Sequence, residues 1–289
     1  MPSAAPVATN AGMTTIRPRR SMLYIPGDKP RALEKAKTLD CDAILFDLED
    51  AVAPENKGRA REGIAEAVRA GGYGHRELIL RVSASDCAED FALASTLPIH
   101  GVLLPKVESP ATVADAAARN PHPIWCMIET PLGVLRAAEI AASDRLAGFV
   151  AGTNDLTKDL HARHTPARTP LLTALSMMVL AARAYGLAVI DGVHLDLDDL
   201  DGFEATCRQG LDFGFDGKSL VHPNSIHIAN RVFGPAPEEI ASARAMVAAW
   251  EEARAQGLGV ARIDGAMVEQ LHVDDANRLI ALADAIERR

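Results

Sequence analysis

Eight short apolar runs recur along the chain, at residues 22–25, 43–46, 78–82, 101–104, 124–128, 146–150, 188–190 and 214–221. Several are apolar at every position instead of alternating, which suits parallel strands buried on both faces. The last is weak as a strand by its own composition. Between the runs lie stretches with helix signals. Residues 30–39 start with Pro30, 56–70 are Ala-rich, 109–120 open with Ser109-Pro110, and 130–142 open with Thr130-Pro131. Stretches 170–185 and 197–210 follow. A Ser or Thr oxygen caps the free N–H groups of a first turn, and Pro fits there because its missing N–H is not needed. Eight strand–helix alternations predict a (β/α)8 TIM barrel, for which about 250 residues suffice. A doubly wound sheet is the alternative, but neither GxGxxG nor GxxxxGK[ST] occurs to cradle a phosphate after a strand.

The chain has 289 residues, so a barrel leaves a surplus. Residues 1–18 are small and polar, lack the apolar run of a signal peptide, and are expected to be a disordered leader. Residues 19–255 are assigned to the barrel, with a closing helix at 235–255. Residues 256–289 contain Gly257, Gly259 and Gly265, then a helical stretch at 273–286, and are expected to form a C-terminal lid or an arm swapped between subunits.

Composition narrows the partners. Asp and Glu total 39 against 30 Lys and Arg, a formal net charge of −9, which argues against a broad nucleic-acid surface. Aromatic residues are only 4%, too few for stacking on bases. No apolar run approaches the roughly 20 residues that span a bilayer. The four cysteines form no CxxC pair, and buried, reduced thiols in a cytoplasmic protein are expected.

Barrel chemistry sits at the C-terminal ends of strands. There the sequence places Asp47, Glu49 and Asp50, then Arg81, Lys106 with Glu108, Glu129, Asp155, Asp191 with His194, and Lys218 with His222. Glu129 and Asp155 are the cleanest pair of carboxylates from neighbouring strands. Two carboxylates completed by waters and a ligand oxygen describe a Mg²⁺ site, whereas Zn²⁺ would want His or Cys. Capping of the following helix is the other reading of Glu129, which precedes Thr130-Pro131. Arg81, set among apolar residues, needs an anion. That anion is either Asp47 or Glu49 in a structural ion pair, or a substrate carboxylate in a clamp.

The strings RRSMLYIPGDKPRALEKA, DAILFDLEDAVAPENK, LRVSA, LLPKVES, IETPLGV, AGTNDL, DGVHLDLDDLDGF and GKSLVHPNSI, in that order, carry a resemblance. The chain resembles the citrate lyase beta-subunit-like proteins of the HpcH/HpaI aldolase superfamily, relatives of the malyl-CoA and citramalyl-CoA lyases, over about residues 19–275. The resemblance implies a (β/α)8 barrel in a homotrimer or a hexamer. It implies Mg²⁺ on Glu129 and Asp155, a substrate carboxylate on Arg81, and Asp47, Glu49 and, more weakly, Asp50 orienting metal waters. Arg20 and Lys29 are expected to contact CoA phosphates, and Lys106 to face the site. The tail motif usually reads G-x-M-[IV]-D, and its Asp acts in acid–base chemistry. Here it is Gly265-Ala266-Met267-Val268-Glu269, and Glu269 adds one methylene.

The implied activity is Mg²⁺-dependent cleavage of a 3-hydroxyacyl-CoA of the malyl-, citramalyl- or citryl-CoA type to acetyl-CoA, or a homologue, and a 2-oxo acid. Arg81 and Glu269 would be the catalytic residues. The altered tail keeps a thioesterase open as an alternative. So do an aldolase acting on CoA-free 2-oxo acids and a citrate lyase subunit acting on an acyl carrier protein.

Overall fold

The computed structural model describes residues 16–263 and 266–289. Residues 1–15 of the expected leader, and Gly265 of the tail motif, lie outside them. The described residues form two compact units, Arg19–Gly234 and a second that includes Pro235–Arg289.

In the first unit each expected apolar run holds one strand. In chain order the elements are β1 (Ser21–Pro26), α1 (Pro30–Ala36), β2 (Ala43–Asp47), α2 (Lys57–Ala70), β3 (Glu77–Arg81), α3 (Ala88–Ala94), β4 (Gly101–Leu104), α4 (Pro110–Arg119) and β5 (Ile124–Ile128). Then come α5 (Pro131–Leu135), α6 (Ala137–Ala141), β6 (Leu146–Ala151), α7 (Thr153–Asp159), α8 (Leu172–Ala184), β7 (Ala188–Asp191), α9 (Leu200–Phe213), β8 (Gly217–Leu220) and α10 (Ile226–Val232). The strands pair in parallel in sequence order, and β8 closes on β1. The weak last run is trimmed to Gly217–Leu220, and the stretch at 130–142 breaks into two helices at Arg136.

Both faces of the strands are buried, which explains the unbroken apolar runs. Met22, Tyr24, Leu45, Ile79, Leu103, Trp125, Met127, Val150 and Ile190 fill the barrel interior. The alternate residues Leu23, Ile25, Ile44, Phe46, Leu80, Val102 and Val189 pack outward under the helices. Cys41, Cys126 and Cys207 are buried as expected, but Cys87, at the start of α3, is half-exposed.

The second unit contains α11 (Pro237–Ala255), an antiparallel pair β9 (Ala261–Ile263) and β10 (Ala266–Val268), and α12 (Gln270–Glu287). Trp250, Ala253, Ala261, Val268 and Val273 form its own small core. The helix expected to close the barrel therefore belongs to this unit, because its apolar side packs on the hairpin and α12. No helix among the described residues is long and apolar enough to cross a membrane.

Candidate active site

A cavity of about 370 Å³ opens at the C-terminal ends of the barrel strands. Its lining includes Tyr24 and Met127 from the interior, Asp47, Asp50 and Arg81, Glu129, residues 151–155, Val193 and Val221. Asp47 and Arg81 end adjacent strands in direct register, so strand pairing itself brings them together.

Glu129 directly follows β5 and is almost fully buried. Its Oε1 accepts the backbone N–H of Lys106 at 2.8 Å, and Lys106 adopts a left-handed backbone (φ 50°) there. Capping of α5 falls to the neighbouring Thr130, whose Oγ1 accepts the N–H of Gly133 at 3.0 Å. Glu129 is thus free of the capping role that its position allowed. Across β6, a Cβ at Gly152 would stand 2.6 Å from Glu129 Oε2, so only glycine leaves the carboxylate room. Burial pushes the Glu129 carboxyl up to about 7, against the opposing pull of the Lys106 N–H and Arg81, and nearby Asp155 adds to the rise. Asp155 sits in the first turn of α7, immediately after β6, on the same cavity.

Arg81 is buried and ion-paired, with its Nε left without a hydrogen-bond partner among the described residues. Its guanidinium meets Glu49, lies 2.9 Å from Asp50 and 3.5 Å from Asp47, and stands 5.5 Å over the Tyr24 ring. The structure therefore shows the ion-pair reading of Arg81. Asp47 also accepts the N–H groups of Glu49 and Ala51, and burial still raises its carboxyl above the usual range. Lys106 reaches Glu49 at 3.0 Å with its side chain half exposed. Asp47, Glu49 and Asp50, expected to orient metal waters, all lie against Arg81.

Two expected contacts separate. Lys29 lies on the rim just after β1, exposed and 3.3 Å from Asp28. Arg20 is a correction. It precedes β1, at the opposite, N-terminal end of the barrel, and is buried against Asp42 at 3.0 and 3.1 Å and the Asn230 carbonyl. A charge one residue ahead of a parallel strand cannot reach the other mouth. Glu269 is exposed in the second unit, where its N–H donates to His272 Nδ1 at 3.0 Å.

Tyr24, Thr153, Asn154 and Val193 also line the cavity, and sequence reasoning passed over them. Period-two alternation in β1 was the available signal for Tyr24.

Among the described residues, no three His, Cys, Asp or Glu side chains cluster to hold a metal. Glu129 and Asp155 offer two carboxylates, the donor number Mg²⁺ uses when waters and substrate complete its shell.

The closed parallel barrel, with its cavity at the C-terminal strand ends, places the chain in the class of (β/α)8 barrel proteins. Within it, the chain belongs to the HpcH/HpaI aldolase/citrate lyase family, which it matches over residues 20–223. It is 48% identical over 273 residues to a (3S)-malyl-CoA thioesterase of Cereibacter sphaeroides, covering 93% of this chain and 96% of that protein. It is 36% identical to the citrate lyase subunit beta of Leuconostoc mesenteroides, over 94% and 96% of the two chains. Among solved structures it resembles the protein CitE of Mycobacterium tuberculosis in complex with magnesium, acetoacetate and coenzyme A. That match has a TM-score of 0.74 and 28% identity, and covers 91% of this chain and 97% of the other.

Proposed function

We propose that Glu129 and Asp155 hold Mg²⁺ and that the pocket acts on a 3-hydroxyacyl-CoA of the malyl-CoA type. The observation that carries this reading is the pair itself: carboxylates from adjacent strand ends on one cavity, one of them buried with a single N–H on Oε1. Bound there, Mg²⁺ would act as a Lewis acid toward substrate oxygens.

The chain's own residues do the rest. Arg81 presents the only basic side chain among the described residues lining the cavity, and so is the group that takes a substrate carboxylate. Of its partners, Asp50 is the exposed one, and an exposed pair is worth little, so Asp50 is the contact an incoming carboxylate displaces. The Lys106 N–H fixes Glu129, and the Glu49 bridge between Arg81 and Lys106 ties the β3 and β4 ends together. Glu269 lies in the other unit, and no step is routed through it.

Thioester hydrolysis is the first reading of the reaction, supported by the thioesterase at 48% identity. Water adds at the acyl carbon, the C–S bond breaks, and CoA leaves with the proton. Carbon–carbon cleavage is the second, supported by the citrate lyase beta subunits. There the hydroxyl proton is lost, the C2–C3 bond breaks as the carbonyl of the 2-oxo acid forms, its electron pair goes to the thioester enolate, and that enolate takes a proton at C2 to leave as acetyl-CoA. Malyl-, citramalyl- and citryl-CoA, each incubated with Mg²⁺ and resolved by mass, separate the two. CoA with malate supports hydrolysis, and acetyl-CoA with glyoxylate supports cleavage. Consumption of none of the three, or consumption indifferent to chelation of Mg²⁺, contradicts the proposal.

A further inference from the structure

We propose that Arg168 is a positioning residue for Asp155, acting through the buried carboxylate of Asp191; the inference rests on Asp155 being a Mg²⁺ ligand. Helix α7, which carries Asp155, spans only Thr153–Asp159, and a helix that short does not hold itself together. Thr153, Leu156 and Thr157 bury one side of it, but the nearest ion-pair partner of Asp155 is the exposed Lys158 at 4.0 Å. The direction of Asp155 is then set by what holds the two ends of the helix.

Asp191 ends β7 and is completely buried. Its Oδ1 accepts the N–H of Gly192 at 2.8 Å. Gly192 in turn lies against the start of α7, where a Cβ would stand 2.5 Å from Thr153 Oγ1 and 2.8 Å from the Ala151 carbonyl. At the other end, the chain leaving α7 runs through residues 160–167 to Arg168, which adopts a left-handed backbone (φ 52°). The Arg168 guanidinium meets Asp191 Oδ1 and Oδ2 at 2.7 and 2.8 Å through Nη1, and Gln209 of α9 at 2.7 Å through Nε. Lys218 on β8 completes the group, 2.7 Å from Asp191 Oδ2 and 1% exposed. One carboxylate therefore sets the glycine that packs on the head of α7 and anchors the loop that leaves its tail. A buried lysine and a partly buried arginine on one buried anion are a poor way to gain stability, because desolvation offsets the attraction. They are an effective way to fix direction. A non-glycine residue with positive φ persists only where its surroundings over-determine it.

Arg183 supplies the control. It also ties α8 to the barrel, with Nη2 2.6 Å from Asp216 Oδ1, but Asp216 precedes β8 and lies at the N-terminal end. The experiment uses the full chain and Mn²⁺ as probe, with free Mn²⁺ read by electron paramagnetic resonance and unfolding followed in parallel. Arg168→Met leaves the Asp191–Lys218 pair intact and is expected to weaken Mn²⁺ binding by about tenfold or more, the size of effect seen when outer partners of metal ligands are removed. Arg168→Lys, which keeps one charge on Asp191, is expected to recover part of the loss. Arg183→Met is expected to lower thermal stability with Mn²⁺ affinity unchanged. Arg168→Met binding Mn²⁺ as the parent does, or Arg183→Met weakening it equally, overturns the inference. Absence of Mn²⁺ binding in the parent protein overturns the metal reading of the pocket itself, and the inference with it.

Discussion

The two ends of the barrel use the same charged residue types to opposite effect. At the N-terminal end three carboxylates meet a guanidinium each: Asp42 with Arg20, Glu77 with Arg19, Asp216 with Arg183. Arg19 also lies over the Trp125 ring at 5.0 Å. At the C-terminal end Asp191 is matched by Arg168 and Lys218, but around the cavity Asp47, Glu49, Asp50, Glu129 and Asp155 outnumber Arg81 and Lys106. Matched charges close a structure. Acids in excess of bases, some of them buried, create a demand for a cation, and the cavity lies where that demand is.

Exchanging the roles of the two ends gives the sharpest tests. Glu129→Ala or Asp155→Ala should reduce Mg²⁺-dependent turnover by about a thousandfold, equivalent to about 4 kcal/mol at the barrier, while the melting curve changes little. Arg20→Met at the opposite end should do the reverse, because it takes the guanidinium away from the buried Asp42 carboxylate. It should cost about 3 kcal/mol in denaturant unfolding, with the KM of the folded fraction unchanged. Thr130→Ala removes the cap next to Glu129 and should cost about 1 kcal/mol in the same assay.

The last effect is a pH dependence. In the metal-free protein the folded state holds the Glu129 proton up to about pH 7, against 4.5 for the ordinary carboxyl. This group's contribution is therefore greatest below about 4.5 and is lost as pH rises to about 7. Melting temperatures across that window should show this slope in the parent protein and lack it in Glu129→Gln. Equal slopes would place the raised carboxyl elsewhere.

The barrel was legible because every strand is buried on both faces, so each appears as an apolar run whose neighbours are helix starts. Glu129, Asp155 and Arg81 were legible for a related reason, since each stands at the C-terminal end of such a run. The same rule, applied strictly, would have excluded Arg20, which precedes its strand. Helix α7 was passed over because seven residues are too few to display a helical period. Arg81 could not be settled from sequence because its acids follow a different strand, and only the register of β2 with β3 brings Asp47 alongside. The Arg168–Asp191 contact joins residues 23 positions apart across α8 and β7, from the end of an irregular loop at 160–167, which leaves no periodic trace. The end of the barrel unit at Gly234 was also hidden, because α11 reads as a helix whichever unit it packs against.

The central claim is that the acid-rich end holds one divalent cation between Glu129 and Asp155. Equilibrium Mn²⁺ binding to the parent chain and to the Glu129→Gln/Asp155→Asn double variant tests it directly. One site per chain, displaced by Mg²⁺, is expected in the parent, and none in the double variant. A site of unchanged stoichiometry and affinity in the double variant would contradict it.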